Sequence, residues 1–176
     1  AWRKRFPVRF AAAGGLAVAV IGLVSDGTTF GSGSETVQHM LAGHADVPTL
    51  YVMLKFMATW LTAWTGVPGG IFAPSLSIGA GIGHDIAALL GMNGAGGISP
   101  ALIAMGMAGF LAAVTQAPLT SFIIVMEMVD GHAMVLSLMA AAMLASLVSR
   151  MISRPLYAVL AQHMLAMMTS MKPIRV

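Results

Sequence analysis

Gly69-Gly70-Ile71-Phe72-Ala73-Pro74-Ser75-Leu76, continued by Ile78-Gly79-Ala80, joins a flexible break to the start of a helix inside an almost charge-free run. The first amides of a helix have no intrahelical acceptor and point along its positive dipole end, so together they can hold an anion. The paired glycines let the chain bend sharply and bring those amides close to a ligand. No Lys or Arg stands nearby in sequence, Lys55 being the closest. A small anion held by dipoles alone would be bound weakly enough to leave again, which conduction requires. A plain helix break is the other reading of the same residues.

Working outward, the composition says what surrounds this stretch. Of 176 residues, 58% are hydrophobic and 9% charged, whereas a soluble domain carries roughly a quarter of its residues as Asp, Glu, Lys and Arg. A mean hydropathy of +0.88 agrees, and an ordinary soluble globule is excluded. The chain has no Cys, which removes disulfide frameworks, thiolate zinc sites and Cys nucleophiles. Its net charge of +3 comes from basic residues at the chain's edges rather than from a face that could track phosphates, so nucleic acid is not an expected partner.

Charges and breaker residues then divide the chain. Arg3, Lys4, Arg5 and Arg9 precede an uncharged stretch from Phe10 to Ser25, followed by a polar, glycine-rich loop. This reads as one membrane segment, with a signal peptide as the alternative. A start at Ala1 and the lack of a clear small-x-small cleavage site after Val24 favour a piece of a longer chain. Between Asp46 and Asp130 the only formal charges are Lys55, Asp85 and Glu127, so glycine and proline must mark the boundaries. They predict helices over 49–66, from Ala73 or Pro74 to about Leu90, from Ser99 as N-cap and Pro100 to about Val114, from Ala117-Pro118 to near Met128, over 134–149, and a last amphipathic helix over 156–168. Residues 91–97 and 130–132 read as loop and turn. Crossing a bilayer takes ~20 residues; the segments 100–114 and 118–128 fall short of that. Helices that stop inside a membrane are tolerated where they are buried in protein or line a water-filled cavity, and transporters place ion sites at such breaks. Gly79 and Gly83, Gly106 and Gly109, with Ala112 and Ala113, have the spacing of close helix packing, and most of these glycines need no further role.

At this point the sequence resembles a known family. Gly69-Gly70-Ile71-Phe72-Ala73-Pro74-Ser75-Leu76 with Ile78-Gly79-Ala80 is similar to the GGIFAPSL-x-IGA stretch of the CLC chloride channels and chloride/proton exchangers. Gly106-Met107-Ala108-Gly109, then Ala117-Pro118-Leu119-Thr120 leading to Met126-Glu127-Met128, then Arg154-Pro155-Leu156-Tyr157 stand in that family's order. The resemblance is strong over 49–165 and weaker over 7–48. It implies an all-α polytopic membrane protein with tilted, partly non-spanning helices, and makes residues 1–176 a single transmembrane domain fragment from an incomplete second inverted-repeat half. It further implies that Gly70, Ile71 and Phe72 present backbone to a central chloride and that Tyr157 donates its hydroxyl to it. Without the resemblance, Tyr157 reads as an interfacial aromatic anchor. By the same resemblance Phe72 favours chloride or a similar larger anion over fluoride.

The family's Gly-x-Glu-Gly-Pro loop and Ser-bearing loop have no counterpart in residues 1–176. The chain is therefore expected to supply part of a chloride pathway, with the choice between channel and exchanger left open. Expected partners are chloride, the lipid bilayer and a second copy, through 118–128 and 134–149. No cofactor is expected beyond the transported ion. The expected location is a cell membrane, crossed several times, with both chain ends cytoplasmic. The competing reading is a membrane enzyme or assembly subunit built on Glu127, Asp130 and His132. It lacks a second carboxylate-histidine group at ligand spacing. His39 and His44 with Asp46 read as a polar loop rather than a metal site. His84 beside Asp85 reads as an interfacial pair, and the sixteen Met residues as adaptable packing.

Overall fold

The computed structural model describes residues 7–25, 27–43, 48, 50–65, 70–92, 98–152 and 162. Among them there is helix and no strand. The elements given by the described residues are, in order, α1 (Pro7–Val24), α2 (Ser34–Leu41), α3 (Tyr51–Thr65), α4 (Phe72–Leu89), α5 (Ile98–Thr115), α6 (Pro118–Met128) and α7 (Val135–Ile152), the last preceded by a 3-10 turn, His132–Met134. The chain divides into two compact units, Ala1–Met107 and Ala108–Val176.

In the first unit α1 packs on α3, and α4 receives both α2 and α3. The glycines of α4 decide how closely its neighbour approaches. A Cβ on Gly79 would stand 2.6 Å from the Gly106 carbonyl oxygen, and one on Gly83 2.6 Å from Ile103 Cα, so backbone meets backbone where α4 crosses the start of α5. In this unit Met40, Tyr51, Ile103 and Met107 are fully buried. The Tyr51 hydroxyl shares a hydrogen bond with Ser77, giving this apolar core a satisfied polar link between α3 and α4.

The second unit is built on α6 lying against α7. Pro118 occupies the first turn of α6, where its missing N–H has no helical acceptor to lose. Eleven residues make α6 roughly 16 Å long, about half a hydrocarbon core. Among the described residues, His132–Ile152 is the one stretch long and apolar enough to cross a membrane.

The expected boundaries of α1, α3, α4 and α6 agree with these elements to within three residues, whereas three details differ. Ser99 is not the N-cap of α5, because the helix already begins at Ile98 and Ser99 is buried inside it. The helix predicted over 134–149 continues to Ile152, since no breaker stands before Pro155. His39 lies not in a loop but in the last turn of α2. Gly33 is the N-cap of that helix, and its φ of 82° suits glycine; Val37 and Met40 are the helix's buried residues. The helix predicted over 156–168 lies outside the described residues but for Gln162.

Candidate anion site at the start of α4

α4 opens without a side-chain cap. Ile71 holds the N-cap position at φ −88°, no side-chain hydrogen bond caps the helix start, and no acidic residue stands in the first turn. Its first amides thus have no partner within the helix. Ser75 ties the turn together from the other side, its hydroxyl donating to the Ile71 carbonyl at 2.7 Å and its amide to the same oxygen at 3.1 Å. The turn is tied at the Ile71 carbonyl, while no side-chain cap covers its amide end.

That end borders a cavity of about 220 Å³, lined by Gly70, Ile71 and Pro74 together with Thr29, Gly31 and Lys55 among others. Of the site residues expected from sequence, Gly70 and Ile71 face this space. Phe72 follows directly on the helix with a half-exposed side chain. Tyr157 lies outside the described residues, as do Gly69 and the three residues before it.

Sequence reasoning passed over Lys55. Fifteen residues ahead of Gly70 in the chain, it comes from α3 to the wall of the same cavity. Only 2% of it is exposed, and its ammonium donates to the Thr29 carbonyl at 2.9 Å and to that of Gly31 at 3.0 Å. The available signal was a lone cation inside an apolar helix, which in a membrane marks function by default. Its distance along the chain from the glycine motif hid the connection.

The other polar groups are arranged differently. His132 Nδ1 stands 3.1 Å from Asp130 Oδ1, and its Nε2 3.9 Å from Glu127 Oε1. All three side chains are mostly exposed, so this cluster lacks the enclosed, water-poor setting that sharpens acid-base chemistry. His84 and Asp85 approach to 3.8 Å. No group of three or more His, Asp or Glu suited to a metal occurs among the described residues; His44 and Asp46 lie outside them.

The family model described as "Voltage gated chloride channel" matches residues 1–150. A Salmonella typhimurium (strain LT2) protein, "Voltage-gated ClC-type chloride channel ClcB", is 33% identical over 147 residues, covering 79% of this chain and 34% of that relative. A protein of the same name from Escherichia coli (strain SMS-3-5) is 34% identical over 151 residues, covering 81% of this chain and 35% of its own length. The chain thus spans about a third of the length of the curated relatives it matches.

Proposed function

The chain belongs to the voltage-gated chloride channel family, and from that premise we propose that it supplies part of a chloride pathway through a membrane. This is a channel family and not an enzyme family. The observation that carries the proposal is the uncapped amino end of α4 opening on a cavity beside Gly70 and Ile71. Amides at a helix start hold an anion without a full charge in contact with it, so binding is strong enough to select and weak enough to release. In this reading the amides of Ile71 and Phe72 bind chloride and the Tyr157 hydroxyl completes the shell. The Phe72 side chain governs shape and dehydration. The proposal covers conductive transport and exchange for protons alike.

A second copy of the chain is assigned to the exposed apolar side of α6 and α7, where Leu119, Leu136 and Leu144 are all uncovered. This surface lies within 118–128 and 134–149, the segments expected to form a homodimer contact.

Chloride titrated calorimetrically into the protein that carries residues 1–176 in its native sequence context tests the site. Tyr157→Phe removes one charge-assisted hydrogen bond, about 1.5 to 3 kcal/mol, and should weaken chloride roughly ten- to a hundred-fold. Phe72→Ala keeps its backbone amide, so it should change selectivity among anions more than affinity. Unchanged affinity in Tyr157→Phe and in the double variant, with the fold intact, would remove both residues from the site.

A further inference from the structure

Lys55 is a buried cation that no ion pair joins to a carboxylate among the described residues. Two carbonyls, Thr29 and Gly31, accept two of its three ammonium protons. Carbonyl dipoles soften the desolvation of a buried ammonium but leave its net charge in place. The cavity beside that charge is also lined by Gly70, Ile71 and Pro74 at the amino end of α4. Lys55 and a positive helix end therefore line one space, an arrangement that an anion held there would stabilise.

We propose that Lys55 is the fixed countercharge of the anion site, setting its affinity and its preference for anions over cations. The inference rests on the reading that the start of α4 binds chloride, and it changes that reading in one respect: the site is not held by dipoles alone. Thr29 and Gly31 have a defined part in it. By holding the ammonium at 2.9 and 3.0 Å they keep it at the cavity wall and temper its pull, which keeps chloride exchangeable.

The test separates charge from scaffolding. Lys55→Gln retains amide donors for the two carbonyls and loses the charge, while Lys55→Arg retains the charge. Chloride is titrated into both variants and the wild type in native sequence context, and reversal potentials are read in planar bilayers under a potassium chloride gradient. Lys55→Gln should weaken chloride roughly ten-fold or more and move the reversal potential toward that of the cation, with Lys55→Arg staying within about three-fold of wild type. Should Lys55→Gln not fold, Thr59→Glu against Thr59→Gln asks the same question from the opposite side of the charge balance. Thr59 lines the same cavity, and the carboxylate alone should abolish chloride binding.

A wild type that binds chloride and a folded Lys55→Gln within two-fold of it would overturn the inference. Equal losses in Lys55→Gln and Lys55→Arg would overturn it too, by pointing to loop support alone. Equal chloride affinity in Thr59→Glu and Thr59→Gln would do the same. A wild type that does not bind chloride at all would instead overturn the reading of α4 itself.

Discussion

Gly83 and Gly15 have the same side chain and opposite surroundings. A Cβ on Gly83 would meet Ile103 Cα at 2.6 Å, and the obstruction is backbone, which cannot rotate away. Around Gly15 in α1 there is nothing within 4 Å. Gly83→Ala should therefore cost about 1 to 3 kcal/mol through overpacking, whereas Gly15→Ala should be neutral or add roughly 0.5 to 1 kcal/mol by lowering the entropy lost on helix formation. Thermal unfolding of both variants in one detergent checks the contrast, and a Gly83→Ala protein as stable as wild type would contradict the close approach of α4 and α5. Gly109, which shares the small-residue spacing, is a different case: its nearest neighbour would be the Ala145 Cβ at 3.7 Å, an ordinary contact. Spacing alone marks where helices can approach, and only the partner decides which glycine is needed.

The end of α5 shows how one element completes another. After Thr115 the chain turns through Gln116 at φ 55°, a conformation usually left to Gly or Asn, and α6 starts two residues later. The carbonyls freed at this end are met from α7: the Ser149 hydroxyl donates to Ala113 at 2.6 Å and the Arg150 guanidinium to Gln116 at 3.1 Å. Arg150 also places positive charge at the negative end of the α5 dipole. Arg150→Met should lower stability by about 1 to 3 kcal/mol, with Arg150→Lys recovering part of the loss, both read by thermal unfolding; equal stability of all three proteins would show that the contact contributes nothing. This boundary was legible in the sequence because Gln116-Ala117-Pro118 acts locally, proline forbidding what precedes it from continuing as helix. α2 was not. At 8 residues it is too short to be stable alone, and its polar composition hid the pair Val37 and Met40 that tertiary contact buries. The site divides the same way. Gly70 and Ile71, as proposed site residues, could be read from a motif, while Lys55 comes to line the same cavity only through the packing of α3 on α4, which no local pattern encodes. Tyr157 lies outside the described residues and rests on resemblance.

At the scale of the whole molecule the distribution of charge fixes an expected orientation. Arg3, Lys4, Arg5 and Arg9 flank the start of α1, and Arg150, Arg154, Lys172 and Arg175 lie at or beyond the end of α7. Basic residues close to membrane segments stay on the cytoplasmic side, and acidic ones contribute little, so both clusters should be cytoplasmic. The stretch His132–Ile152 then carries a further consequence. Its 21 residues measure roughly 31 Å as helix, enough to cross the hydrocarbon core. With Arg150 inside, the turn holding Asp130 and His132 must be outside. This chain has no native Cys, so single cysteines report without background from it. Lys4→Cys and Lys172→Cys should resist a membrane-impermeant thiol reagent applied to intact cells and react once the membrane is opened. His132→Cys, at a site whose side chain is mostly exposed, should react in intact cells. Labelling of Lys4→Cys or Lys172→Cys from outside would reverse the end concerned, and protection of His132→Cys until lysis would mean that α7 does not cross in this direction. Because the three positions are read independently, a wrong charge rule at one end cannot mask a wrong helix assignment at the other.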